Sequence, residues 1–132
     1  DEAFLLLKKA KSMFPIKYCI EESREWLAAV GLIIAESCLL CGDSDTCQKY
    51  LEIFIHRFEE YPLLKFQFQM RKALLLHQIG CSEDACYLLN NLIDLADDQR
   101  GPYVYFRIQA QINLVDILIV LICLLLMFFL AI

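Results

Sequence analysis

The chain has 132 residues, of which 59% are apolar, with 12 basic and 17 acidic side chains and a net charge of −5. With only 4 Gly and 3 Pro, that apolar share excludes a disordered linker and a collagen-like chain. The acidic balance argues against a phosphate-binding surface, so no nucleic-acid partner is expected. A mean hydropathy of +0.51 is membrane-like, whereas a charged fraction of 22% is ordinary for a soluble protein. The excess is local. Residues 114–132 hold 18 apolar residues and a single charge, Asp116. Without them, residues 1–113 are little more than half apolar and carry every other charge. Two regions are therefore expected: an amphipathic body over 1–113 and an apolar tail over 114–132.

The body reads as helices. Residues 1–14 place Ala3, Leu6, Leu7 and Ala10 on one helical face, with Asp1 and Glu2 at the start and Pro15 at the end. A second helix is expected over about 22–41, closed by Gly42 in a left-handed cap. Asp43, Ser44 or Asp45 then caps a helix over about 44–60. Pro62 opens a helix over about 62–79, ended by Gly80. Within it Lys65–Met70, KFQFQM, alternates as a strand would, but six residues flanked by helical signals read better as helix. Ser82, with Glu83 and Asp84 behind it, starts a helix to about 97. Gly101 and Pro102 punctuate, and the last helix runs from about 103 into the tail.

The tail contains 16 uncharged apolar residues in a row, Ile117–Ile132. They span about 24 Å as a helix, somewhat short of the roughly 30 Å hydrocarbon core of a bilayer. Ile117, Leu121, Leu125 and Phe129 mark the candidate membrane segment, with Tyr103, Tyr105 and Phe106 at the distance of an interfacial aromatic belt or covering the preceding hairpin. A buried core helix, or a tail translated past a splice site, is the competing reading. Residue 1 is Asp, so a processed chain or a fragment is expected. Lys8, Lys9, Lys11 and Lys17 leave no signal peptide visible.

Seven cysteines, an odd number without a secretory signal, argue against a disulfide scaffold. Cys38, Cys41, Cys47 and His56 have the donor types of a zinc site. However, Cys47 and His56 are nine residues apart on an expected helix, about 13 Å in rise. Plain packing is the expected role of these cysteines, and no cofactor or metal is expected. His56 and His77 are the only histidines, and neither sits in a nucleophile motif. Asp43 and Asp45 lack the remaining ligands of a calcium loop. Neither phosphate-binding glycine loops nor metalloprotease or hydrolase motifs occur. A non-enzymatic protein with no catalytic residues is expected.

The turns repeat. Gly42 and Gly80 lie 38 residues apart, each between two expected helices. In Ala73–Leu89, a turn Gly80 is followed by Ala85 on the next helix and Leu89 four residues later. Gly42, Cys47 and Leu51 have the same spacing, and Ala3, Leu7, Ala10 and Pro15 match the end of such a unit. The small residue lets two helices approach closely, and the large one fills the groove beside the next unit.

Over about residues 1–110 this pattern resembles the tetratricopeptide repeat, with departures. The units are longer than usual, and Trp26 is out of register with the usual early aromatic. The resemblance implies an all-α fold, an α-solenoid of antiparallel helical hairpins ending in a very apolar C-terminal helix. It implies repeat-packing roles for Ala3, Leu7, Gly42, Cys47, Leu51, Gly80, Ala85 and Leu89. It also implies a protein–protein interaction or scaffold module of a larger assembly, with protein partners. The candidate partner-binding face is Glu36, Gln69, Lys72 and Gln109, on the first helix of each hairpin. The alternative is a membrane-anchored receptor or adaptor. Intracellular location is expected: cytoplasmic or nuclear if the tail is buried, single-pass with cytosolic repeats if it is an anchor.

Overall fold

The computed structural model describes residues 21–97 and 101–132 and, near the N-terminus, positions 2, 5, 6 and 9; at 21–23 and 102 it describes the backbone alone. The helix expected over 1–14 therefore lies outside the described residues but for positions 2, 5, 6 and 9, and Ala3, Leu7, Ala10 and Pro15 are all outside them. The described residues are all-helical, without a strand: α1 (Glu21–Cys41), α2 (Ser44–Arg57), α3 (Pro62–Gln78), α4 (Ser82–Asp97) and α5 (Pro102–Ala131).

The chain's punctuation sets these boundaries. Gly42 and Gly80 have φ of +74° and +91°, a region that costs a side chain about 1–2 kcal/mol. Their turns are built alike. Asp43 N–H reaches back to Cys38 O (3.0 Å), and Cys81 N–H to Leu76 O (2.8 Å). Gly42 N–H donates to Leu39 O and Gly80 N–H to His77 O, completing two Schellman caps. Asp43 then accepts from Thr46 N–H at 3.3 Å and caps α2, as one of the three expected candidates. Pro62 and Pro102 sit at the first turns of α3 and α5, where a missing N–H costs nothing.

Each helix packs on its neighbours in sequence, and in addition α1 packs on α3 and α3 on α5. So α1, α3 and α5 form one layer and α2 and α4 a second. Helix α3 is central and has a core on each side. Phe68 and Leu75 join Ile34, Cys38, Leu51 and Phe54 between α1, α2 and α3. Phe66, Met70 and Ala73 join Ala85, Leu89, Ala110 and Ile117 between α3, α4 and α5. This double burial explains the strand-like KFQFQM. Phe66 and Phe68 are two residues apart, about 200° around a helix, so they serve opposite cores. Phe66 and Met70, four apart, serve the same one.

Three buried rings dominate the first core. Phe68 stacks on Phe54 and on Phe58 with centroids 5.1 and 5.6 Å away and planes within 5° of parallel. The second core is closed by Phe66 against Tyr103 and Phe106 of α5, at 6.2 and 6.0 Å. Two of the three aromatics preceding the tail thus cover the hairpin, while Tyr105 is exposed.

Helix α5 differs from the rest in length. It has 30 residues against 17 in α3. Its contacts with the body end near Leu121, and Ile122 to Ile132 are exposed on every side.

Candidate functional site

A groove runs along the layer made by α1, α3 and α5. At one end it is a cavity of about 590 Å³ over Ala28, Ala29, Leu32, Gln67 and Phe106. Its middle, about 300 Å³, shares Gln67 and Phe106 with the first part and adds Glu36, Arg71, Gln109 and Asn113. A third part of about 490 Å³ shares Glu36 and Leu74 and ends at Leu39, His77 and Gln78. Adjacent parts thus share lining residues.

Helical phase brings these residues together. On α3, Gln67, Arg71, Leu74 and Gln78 recur at spacings of 4, 3 and 4 and line one face. On α5, Tyr105, Gln109 and Asn113 do the same. The alanines at 28 and 29 on α1 keep the first part open. At its rim the Arg24 guanidinium lies over the Tyr61 ring, 3.9 Å from the centroid.

Across the middle, Arg71 Nη2 donates to Glu36 Oε1 at 2.8 Å, joining α3 to α1. Arg71 Nη1 donates to Gln67 O, while its buried Nε has no hydrogen-bond partner among the described residues. Gln78 Nε2 donates to Leu39 O at 3.0 Å, a second bond on the carbonyl that already accepts from Gly42 N–H at the end of α1. The lining thus carries two cations, Arg24 and Arg71, two anions, Glu25 and Glu36, and several side-chain amides. Amides of this kind donate and accept together, which suits the alternating N–H and C=O of an extended peptide.

Of the partner-face residues expected from the sequence, Glu36 and Gln109 share this groove. Lys72 does not: it is one residue, about 100°, past Arg71 and lines a small cleft with Gln48 and Leu51 of α2. Gln69 is half-buried and lines neither. Gln67, Arg71 and Asn113 were not singled out in the sequence, although the 67–71–74–78 spacing carries them. Among the repeat-packing residues, Cys47, Leu51, Ala85 and Leu89 are fully buried, and Gly42 and Gly80 sit in the two turns.

No group of three or more metal-ligating side chains is gathered among the described residues. Cys38 and Cys47 lie in the first core, and Cys47 Sγ donates to Ala35 O at 3.6 Å. Burial first, then the proximity of Cys38 and the Asp43 carboxylate, pushes the Cys47 thiol from 9.0 up to about 11. The folded chain therefore holds this proton where the unfolded chain has lost it. Its contribution is fully present below pH 9.0 and disappears as pH rises through about 11. Iodoacetamide at pH 8 is accordingly expected to label exposed Cys41, Cys81 and Cys123 within minutes and to reach Cys47 only on unfolding, as peptide mass mapping would read. Equal labelling of Cys47 in the folded chain would contradict this.

In the tail, Ile117 is buried, Leu121 is half-buried, and Leu125 and Phe129 are exposed. Residues Tyr103–Ala131 make one helix long and apolar enough to cross a membrane by length and composition. It serves equally as a core helix at its start, where Ala110 and Ile117 are buried against the body. No family model, curated protein or solved structure matches the chain.

Proposed function

We propose that the chain is a non-enzymatic protein–protein interaction module, built from tetratricopeptide-like hairpins, that holds an extended segment of a partner. The hairpins are α1–α2 and α3–α4, with α5 opening a third. The observation that carries this reading is the row of three adjoining cavities along α1, α3 and α5, with amides in the middle and apolar parts at both ends. Packing of first helix on first helix, and the identical turns at Gly42 and Gly80, support a helical-repeat array. The expected ligand is an uncharged or weakly charged peptide with an apolar or aromatic side chain for the larger end cavity.

A displayed library of random peptides tests the reading. Selected peptides are expected to compete for one site. They are expected to lose at least about tenfold in affinity on Ala29→Trp, which fills the larger cavity, and to be indifferent to Tyr87→Glu on the exposed side of α4. Binding that ignores Ala29→Trp removes the groove from the account.

A second reading is favoured by the bare end of α5. Residues 122–132 have no contact that an aqueous helix needs, and a bilayer supplies one. In that reading the chain is an anchored adaptor, with the hairpins in the cytosol and α5 entering the membrane.

A further inference from the structure

Helix α5 uses one face for the body and leaves the opposite face apolar. Ala110 and Ile117, seven residues apart, are buried at 0% and 2% exposure. Diametrically opposite run Tyr105, Ile108, Ile112, Val115, Ile119, Ile122, Leu126 and Phe129, each 47–70% exposed. Their spacings alternate 3 and 4, the repeat of a coiled-coil seam over more than three heptads. The tail beyond Leu118 is apolar all round and sets no phase. The phase is set by 105–117, where Arg107, Gln109, Gln111, Asn113 and Asp116 all fall off the seam.

We infer that this seam is a self-association surface, on which copies of the chain join through α5 in a parallel coiled coil. Three observations favour a second copy over other occupants. The lower half of the seam is flanked by Arg107, which pairs with Asp97 at 2.7 Å, and by Gln111 and Asp116, polar groups that are costly to place in lipid. In a parallel arrangement, position 111 of one helix meets position 116 of its partner, so Gln111 can donate to Asp116 and no like charges meet. Eight half-exposed side chains of this size, matched by eight more, remove roughly 1,500 Å² from solvent, the size of a standard stable interface. The parallel direction also puts the bare tails side by side. β-Branched residues at both seam positions favour three strands over two.

The seam shares Tyr105 alone with the groove, and its other seven residues lie outside it, so this inference stands or falls without the groove. The test uses the full chain in a non-ionic detergent, with its mass measured by sedimentation equilibrium. A defined trimer or dimer is expected. Ile112→Glu buries a charge in the seam and is expected to weaken association by roughly a hundredfold or more, while helical content stays unchanged because Ile112 lies outside the second core. In a background of Cys41→Ser, Cys81→Ser and Cys123→Ser, Val115→Cys is expected to form an intermolecular disulfide readily and Tyr87→Cys to form little. A monomer overturns the inference. So does an oligomer indifferent to Ile112→Glu, which would show association through the tail alone, and so does equal cross-linking at the two sites.

Discussion

Replacing Gly31 by leucine is expected to destabilise the chain by about 3 kcal/mol or more, although leucine is the better helix former by nearly 1 kcal/mol. Gly31 lies in the interior of α1, where a glycine weakens the helix. Its place is explained by Phe54. A Cβ on Gly31 would stand 2.8 Å from Phe54 Cζ and 2.9 Å from Cε1 and Cε2, below any contact real side chains make. The ring cannot yield, because Phe58 and Phe68 hold it in the stack, with centroids 6.2 and 5.1 Å away. The helix tolerates glycine there so that α2 can bring a full aromatic ring against α1. Phe54→Ala alone is expected to cost about 3–5 kcal/mol through lost burial and the cavity left behind. The pair is diagnostic. In Gly31→Leu/Phe54→Ala the new side chain fills the space of the lost ring, so the double variant is expected to be more stable than the sum of the single costs by at least about 1 kcal/mol. Urea unfolding followed by circular dichroism measures all three. Gly31→Leu unfolding at the wild-type midpoint would sink the argument.

Gly31 also shows what the sequence leaves unread. The terminal glycines and prolines announce themselves: Gly42, Pro62, Gly80 and Pro102 stand at the observed helix ends, because caps and turns are local events. A glycine required by a ring 23 residues away is a tertiary fact and leaves no local mark. The same distinction applies to KFQFQM. Its alternation is real, but on a helix buried on both sides it distributes Phe66 and Phe68 to two cores, and only the neighbours of α3 disclose that. For the groove, polarity and placement on the first helices single out Glu36 and Gln109 without structure. Choosing Arg71 over its neighbour Lys72 requires the rotational phase of α3, which is fixed by which residues the two cores take. The long apolar run of α5 is plain in the sequence. That it carries a core face up to Leu121 and none beyond it is visible only once α3 and α4 are packed on it.

That division of α5 fixes where a membrane test must cut. Removing residues 114–132 would take Ile117 out of the second core, together with Leu114 and Leu121 packed against it. Loss of membrane binding would then be confused with unfolding. A chain ending at Leu121 keeps every α5 side chain that packs on the body. It is expected to melt within about 1 kcal/mol of the full chain, since exposed residues contribute little to the folded state. Its partition is a different matter. The eleven residues removed are Leu, Ile, Phe, Met, Ala and Cys alone. At a few tenths of a kcal/mol each for the large ones, their insertion is worth roughly 4 kcal/mol, about a thousandfold in membrane partition. If α5 enters a bilayer, the full chain is expected to stay with membranes through alkaline carbonate extraction while the chain ending at Leu121 washes into the supernatant, both with native melting. A full chain that washes off ends the anchor reading. Native melting in the short chain combined with undiminished membrane retention ends it equally, because the hairpins and not the bare helix would then hold the lipid. A truncated chain that fails to fold would show that residues 122–132 contribute to the body, contrary to their exposure on every side.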